Sequence, residues 1–175
     1  MRRAFADTGM MPETGPLNWV RDFPGLRVIG LDTLVEGKGG GSLDAMTLEF
    51  LMVALGSAPE GQVLVALHHP PFDSGMHFMD AIGLDNPEPL VAILRQADRD
   101  IRLVCGHIHH VQFASIGGVP VVSAPAVCSR FDIDLRADAP AGFTALPGGF
   151  LLHDWENELR SFVVPLEVGD GPFPF

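Results

Sequence analysis

Apolar residues along this chain fall into short unbroken runs separated by polar segments rich in glycine and proline. Three runs, Arg27–Asp32, Gln62–Leu67 and Ile101–Cys105, are continuous enough to predict strands covered on both faces. Between the first two, Gly37, Gly39, Gly40 and Gly41 form a glycine-rich run, and Ser42 is the predicted cap of a helix of about three turns. Leu43, Met46, Leu48, Leu51, Met52 and Leu55 recur there at helical spacing until Ser57-Ala58-Pro59 breaks it. Between the last two, Asn86 is the predicted cap of a second helix, with Pro87, Glu88 and Pro89 in its first turn and Leu90, Ile93 and Leu94 on its buried face.

Residues 62–105 thus read as a β-loop-α-β unit whose two strands lie parallel, joined by a right-handed crossover. Further on, Val111–Ile116 and Val119–Ser123 flank Gly117-Gly118, the signature of a hairpin with a two-residue turn. Phe150–Trp155 and Leu159–Pro165 predict a second antiparallel pair. Residues 1–24 and 132–149 show no clear period and are expected to be irregular, and 168–175 to form a loose tail. The fold class is α/β, and the length suits a single domain over 1–175. Met46, Met52 and Met79 read as core or gap-filling residues.

Composition narrows the partners. Hydrophobic residues make up 47% of the chain, enough for a sizeable core, while 22 acidic against 11 basic residues give a formal net charge of −11. That charge argues against a nucleic-acid polymer or an anionic membrane and for a small ligand. Cys105 and Cys128 are the only cysteines, no disulfide framework is visible, and no secretory or membrane-spanning run occurs, so a cytoplasmic location is expected.

Five of the seven histidines stand in two clusters, His68-His69 followed by Pro70-Pro71, and His107-Ile108-His109-His110 after Gly106. Each cluster follows a buried strand, so the parallel pairing brings both to the carboxyl edge of the sheet, where open α/β sheets bind their ligands. Imidazole is the commonest metal ligand near neutral pH, which makes this edge a candidate metal site. In extended backbone residues i and i+2 point the same way, so His107 and His109 are expected to face one site while Ile108 packs away. His68 and His69 alternate in direction, so one of them should face inward. Cys105, among apolar residues, is not expected to be a nucleophile.

His-His-Pro-Pro after one buried strand and Gly-His-x-His after the next resemble the C-terminal half of the calcineurin-like metallophosphoesterases, closest to the cyclic-nucleotide and glycerophosphodiester phosphodiesterase branch. Val121–Pro125 and the two closing hairpins fit the same family, and the resemblance runs over residues 15–167. It implies part of a four-layer α/β/β/α sandwich with mixed sheets. It also implies a two-metal centre in which His68 and His107 hold one ion and His109 the other. His68 fits the family's His-x-Pro step as His68-His69-Pro70, and His69 is the alternative because His69-Pro70-Pro71 fits too. The cofactor so implied is a divalent ion, with zinc favoured and manganese or iron as alternatives. Asp73 is a further candidate ligand, and His77 a candidate to touch substrate or serve catalysis.

The family's Asp-x-His, Gly-Asp and Gly-Asn-His motifs have no usable counterpart here: Gly169-Asp170 is a tail dipeptide, and Asn18, Asn86 and Asn157 do not follow glycine. The expectation is therefore a reduced histidine site that hydrolyses phosphodiesters, with phosphotriesters as further substrates. Because strands of a complete member come from both halves, an apolar sheet surface is expected to be exposed and covered by a second copy in a homodimer. The alternative is a non-catalytic dimeric fragment or subunit that needs a separate N-terminal half.

Overall fold

The apolar runs read from the sequence form adjacent strands of one sheet. The computed structural model describes residues 2–9, 11–146, 148–167 and 169; apart from Gly169, the expected tail over 168–175 lies outside the described residues. After a 3-10 helix over Arg2–Thr8 the elements are β1 (Trp19–Phe23), β2 (Leu26–Gly30), β3 (Gly41–Ser42), α1 (Ala45–Gly56), β4 (Gln62–Ala66), α2 (His77–Asp80), β5 (Leu84–Asp85) and α3 (Glu88–Gln96). They continue with β6 (Ile101–Cys105), β7 (Phe113–Ile116), β8 (Val119–Ser123), β9 (Arg130–Phe131), β10 (Phe143–Thr144), β11 (Gly149–Trp155) and β12 (Leu159–Pro165).

The main sheet has six strands in the order β1-β2-β4-β6-β8-β7, with β2, β4, β6 and β8 parallel and the two edges antiparallel. Alternation along the parallel strands sends Ile29, Val63, Val65, Ile101, Leu103 and Val121 to the face covered by α1 and α3, where they meet Leu51, Leu55, Leu90 and Leu94. On the other face Leu26 and Leu64 pack against Leu159 of the β11–β12 hairpin. That hairpin is fastened by Arg102 Nη1 donating to the Leu159 carbonyl at 2.5 Å and Trp155 Nε1 donating to the Pro24 carbonyl at 2.9 Å. The result is a mixed α/β fold: a helix layer, a mixed sheet and an antiparallel hairpin against its second face.

Several local expectations change. Residues 1–24 are not wholly irregular, because Trp19–Phe23 pairs antiparallel with β2 across Pro24-Gly25, Gly25 supplying a φ of +73°. Asp44, not Ser42, caps α1: its carboxylate accepts from the Thr47 amide at 2.7 Å, while Ser42 is engaged in β3 beside β5. Asn86 does not cap α3 either. Its backbone is left-handed at φ +55°, Pro87 takes the cap position, and no side chain bonds there. Met79 is buried as expected, whereas Met46 and Met52 lie on the outward face of α1, whose buried face is Thr47, Leu51, Ala54 and Leu55. Gly117 and Gly118 both have positive φ, as a tight hairpin turn requires.

Candidate metal centre

Parallel pairing of β4 with β6 puts the two histidine clusters side by side. The Leu67 amide donates to Val104 O at 3.1 Å and the Gly106 amide to His68 O at 3.0 Å, so the ladder continues one step past the strand ends. Gly106 leaves room there: a Cβ on it would lie 3.5 Å from His68 Nδ1. Beyond Cys105 the backbone is no longer extended. His107 and His109 have φ of +69° and +55°, so they are displayed by a left-handed step at each position and not by strand alternation. Ile108 between them is buried against Met76 and Met79, as expected. The loop is pinned by Ser123 at the end of β8, whose fully buried hydroxyl donates to His110 O at 2.7 Å and accepts from the Gln112 amide at 2.9 Å.

His68, His69 and His107 form the cluster suited to an ion: one ring nitrogen from each lies within 4.8 Å of the others. The ring centroids are 4.8 Å apart for His68 and His69, 5.2 Å for His68 and His107, and 4.6 Å for His69 and His107. His107 Nε2 is buried with no hydrogen-bond partner. A buried imidazole nitrogen without a partner is costly unless something else uses its lone pair, and three neighbouring imidazoles without a carboxylate are a donor set that suits a divalent transition metal.

The remaining expected residues lie around this cluster. His109 stands outside the tight group, stacked on Phe131 with centroids 4.4 Å apart and sharing a hydrogen bond with Ser129 Oγ at 3.1 Å. His110 Nε2 donates to the Phe131 carbonyl. Asp73 and His77 are both exposed, and neither joins the cluster. Asp73 instead lines a 230 Å³ cavity with Pro70, Pro71 and Ile108. Thr33, Gly39 and Gly41, which touch His69, had no marker in the sequence beyond the glycine run, because they lie far from it along the chain, 36 and 30 residues for Thr33 and Gly39. The Phe131 stack on His109 was equally hidden, because nothing in the sequence links two residues 22 apart across a loop.

Electrostatics hold the rings neutral. Desolvation, reinforced by the neighbouring His69 and His68, pushes His107 down to about 4, with the Ile82 carbonyl acting weakly the other way. His68 keeps an exposed edge yet is also lowered, first by desolvation and then by His69 and His109. His109 is lowered by desolvation despite the opposing Ser129 bond. Burial pushes the Cys105 thiol up to about 12, which removes it as a nucleophile.

A pH dependence follows for His107. Above roughly pH 6.5 its ring is neutral folded and unfolded and contributes nothing to the difference. As pH falls from there to about 4 the unfolded chain binds a proton that the folded chain does not, so stability declines through that window and levels off below it. The whole shift corresponds to about 3 kcal/mol, and partial exposure of the ring reduces the expected loss to about 1–2 kcal/mol. Urea midpoints between pH 7 and 4 measure it, and His107→Ala should flatten that slope.

No family model matches the chain. A probable glycerophosphodiester phosphodiesterase of Arcobacter nitrofigilis is 33% identical over the whole chain, which covers 65% of that relative. A cAMP/cGMP dual specificity phosphodiesterase of Mycobacterium tuberculosis is 34% identical over 91% of the chain and 50% of its own length. Among solved structures, a dimetal phosphatase from Danio rerio superposes with a TM-score of 0.51 at 13% identity, over 93% of this chain and 63% of the other. GAP50, the anchor in the inner membrane complex of Plasmodium, gives 0.61 at 15% identity, over 91% of this chain and 53% of the other. These two likenesses concern the fold. The chain therefore spans between half and two thirds of the length of these relatives, and, with histidine clusters at the ends of parallel strands in a fold shared with dimetal phosphatases, it belongs to the metallophosphoesterase superfamily.

Proposed function

We propose that the chain carries metal-dependent phosphoesterase chemistry on small phosphodiesters, with phosphotriesters as further substrates. The observation that carries this reading is the buried, unpartnered Nε2 of His107 beside His68, in a chain about a third identical to proteins named as phosphodiesterases. His68 and His107 hold one divalent ion by lone pairs that the neutral rings keep available. His109, set apart and stacked on Phe131, serves a neighbouring position. Zinc is favoured by an all-imidazole donor set, with manganese or iron as alternatives. When bound, such an ion polarises a phosphoryl oxygen and acidifies adjacent water. Asp73, in the loop before α2, and His77, which opens α2, take part only if this exposed segment moves inward over substrate, His77 then being placed to give a proton to the leaving group.

The working unit in this reading is a single domain, cytoplasmic in keeping with two free cysteines, and a homodimer. No helix among the described residues is long and apolar enough to cross a membrane. Dimerisation is supported by apolar surface on the hairpin side of the sheet: Phe113 is 77% exposed beside a groove of about 420 Å³ lined by Leu64, Val104 and Val122, and Phe150, Leu152 and Phe162 are exposed on the hairpin.

Hydrolysis of bis(p-nitrophenyl) phosphate by metal-stripped protein tests the reading. No activity is expected after chelation, and added Zn²⁺ or Mn²⁺ should restore it; absence of hydrolysis with every metal would leave the non-catalytic fragment as the correct description. Light scattering should give twice the 18.8 kDa chain mass.

A further inference from the structure

We infer that His69 is a positioning residue, a hydrogen-bonded clamp that fastens the 33–41 loop to the strand end beside the ligands, and that it supplies no lone pair to the ion. This rests on the metal reading above for what the clamp positions, but its own basis is hydrogen-bond chemistry. His69 Nε2 lies 3.0 Å from the carbonyl of Gly39, and a carbonyl only accepts, so Nε2 carries the proton and donates. In the neutral ring Nδ1 must then be the acceptor, and Thr33 Oγ1 is 2.8 Å away to donate to it. Both nitrogens are occupied. His69 is 5% exposed and Thr33 2%, so water does not compete for the Thr33 bond, while the Gly39 bond is part-buried.

Proximity alone would place all three clustered histidines on an ion, since their nitrogens lie within 4.8 Å. The bonds separate them. His107 Nε2 has no partner, whereas each His69 nitrogen has one. Ligating through His69 Nδ1 would leave the buried Thr33 hydroxyl unpaired, and ligating through Nε2 would give up the Gly39 bond, losses that a water ligand on the ion avoids. The clamp also has a reason to exist. The loop it holds carries Thr33 and Gly39; Asp32 just before it accepts from the Leu17 and Leu34 amides and the Gly41 amide at its far end donates to Gly83 O, so the loop is fastened at both ends. With the His69 ring 4.6 Å from His107 and 4.8 Å from His68, this anchor sets the wall against which both ligand rings lean.

Long-range proton–nitrogen spectra of histidine-labelled full chain test this, with His69→Gln supplying the assignment. Without metal, His69 should be in the Nε2–H tautomer. On addition of Zn²⁺ one ring nitrogen in each of His68 and His107 should shift as a ligand while both His69 nitrogens stay in place. Thr33→Val should keep the zinc stoichiometry but weaken affinity about 10-fold, as loss of a supporting hydrogen bond does, and Thr33→Ser should restore it. A zinc-induced ligand shift at His69, an Nδ1–H tautomer, or wild-type affinity in Thr33→Val overturns the clamp. If no imidazole responds to zinc, the metal reading fails separately. The clamp is then decided by the tautomer and by faster hydrogen exchange of the Gly41 amide, which donates to Gly83 O, in Thr33→Val.

Discussion

His107→Ala is expected to lower metal-dependent phosphodiester hydrolysis at least 1000-fold while leaving the metal-free protein about as stable as wild type. The activity loss follows from removing one of two imidazoles with a lone pair free for the ion, and a loss on the order of 4 kcal/mol in transition-state stabilisation corresponds to that factor. In stability, two effects of similar size oppose each other. Alanine at φ +69° keeps the cost of a left-handed backbone, about 1 kcal/mol or slightly more than histidine there. Truncation also removes a buried nitrogen without a partner, which returns about 1–3 kcal/mol. The decisive contrast is the response to metal: saturating Zn²⁺ at 100 times its dissociation constant should stabilise wild type by about 2.7 kcal/mol and the variant by nothing. Thermal melts with and without zinc, run beside the hydrolysis assay, measure both. A variant that keeps the zinc-induced shift in melting temperature would show that the ion sits elsewhere.

Gly41→Ala should be among the most damaging small substitutions in the chain. A methyl group there would lie 2.1 Å from His69 Nδ1 and 2.5 Å from its Cγ, far inside contact distance, and the ring cannot step aside because both of its nitrogens are bonded. Overpacking costs about 1–3 kcal/mol and the stranded Thr33 hydroxyl about 1–3 kcal/mol more, so a loss of about 2–6 kcal/mol is expected. A displaced His69 disturbs the rings of His68 and His107, 4.8 and 4.6 Å away, which should cut hydrolysis at least 10-fold. Gly56→Ala is the control, since an added Cβ meets nothing within 4 Å at the end of α1. Urea denaturation of the two variants reads the difference, and a Gly41→Ala protein within 0.5 kcal/mol of the control would mean that the ring and loop are looser than their bonds imply.

The parallel core was legible because β4 and β6 are written as nearly unbroken apolar runs, which suit strands covered on both faces. Gly117-Gly118 and the flanking Val and Ile residues were equally plain. Strand β1 was hidden because an edge strand with Arg21 and Asp22 exposed carries little alternation, although Pro24-Gly25 ahead of Leu26 was a usable turn signal. The caps were misassigned where two eligible side chains competed: Ser42 is two residues from Asp44, and only the packing of β3 against β5 takes Ser42 out of contention. The meeting of the two histidine clusters could be read from topology. The distinction between His68 and His69 could not, because it depends on Thr33 and Gly39, partners defined by a loop closure thirty residues long.

At His107 and His109 the backbone adopts a conformation that glycine or asparagine would fill more comfortably. Selection for stability alone would therefore tend to erase both rings, each reversion gaining a fraction of a kcal/mol to about 1 kcal/mol. A chain that had lost its chemistry would be expected to drift at these two positions early, ahead of the buried strands beneath them. Two histidines in left-handed backbone thus stand where folding alone would prefer something else.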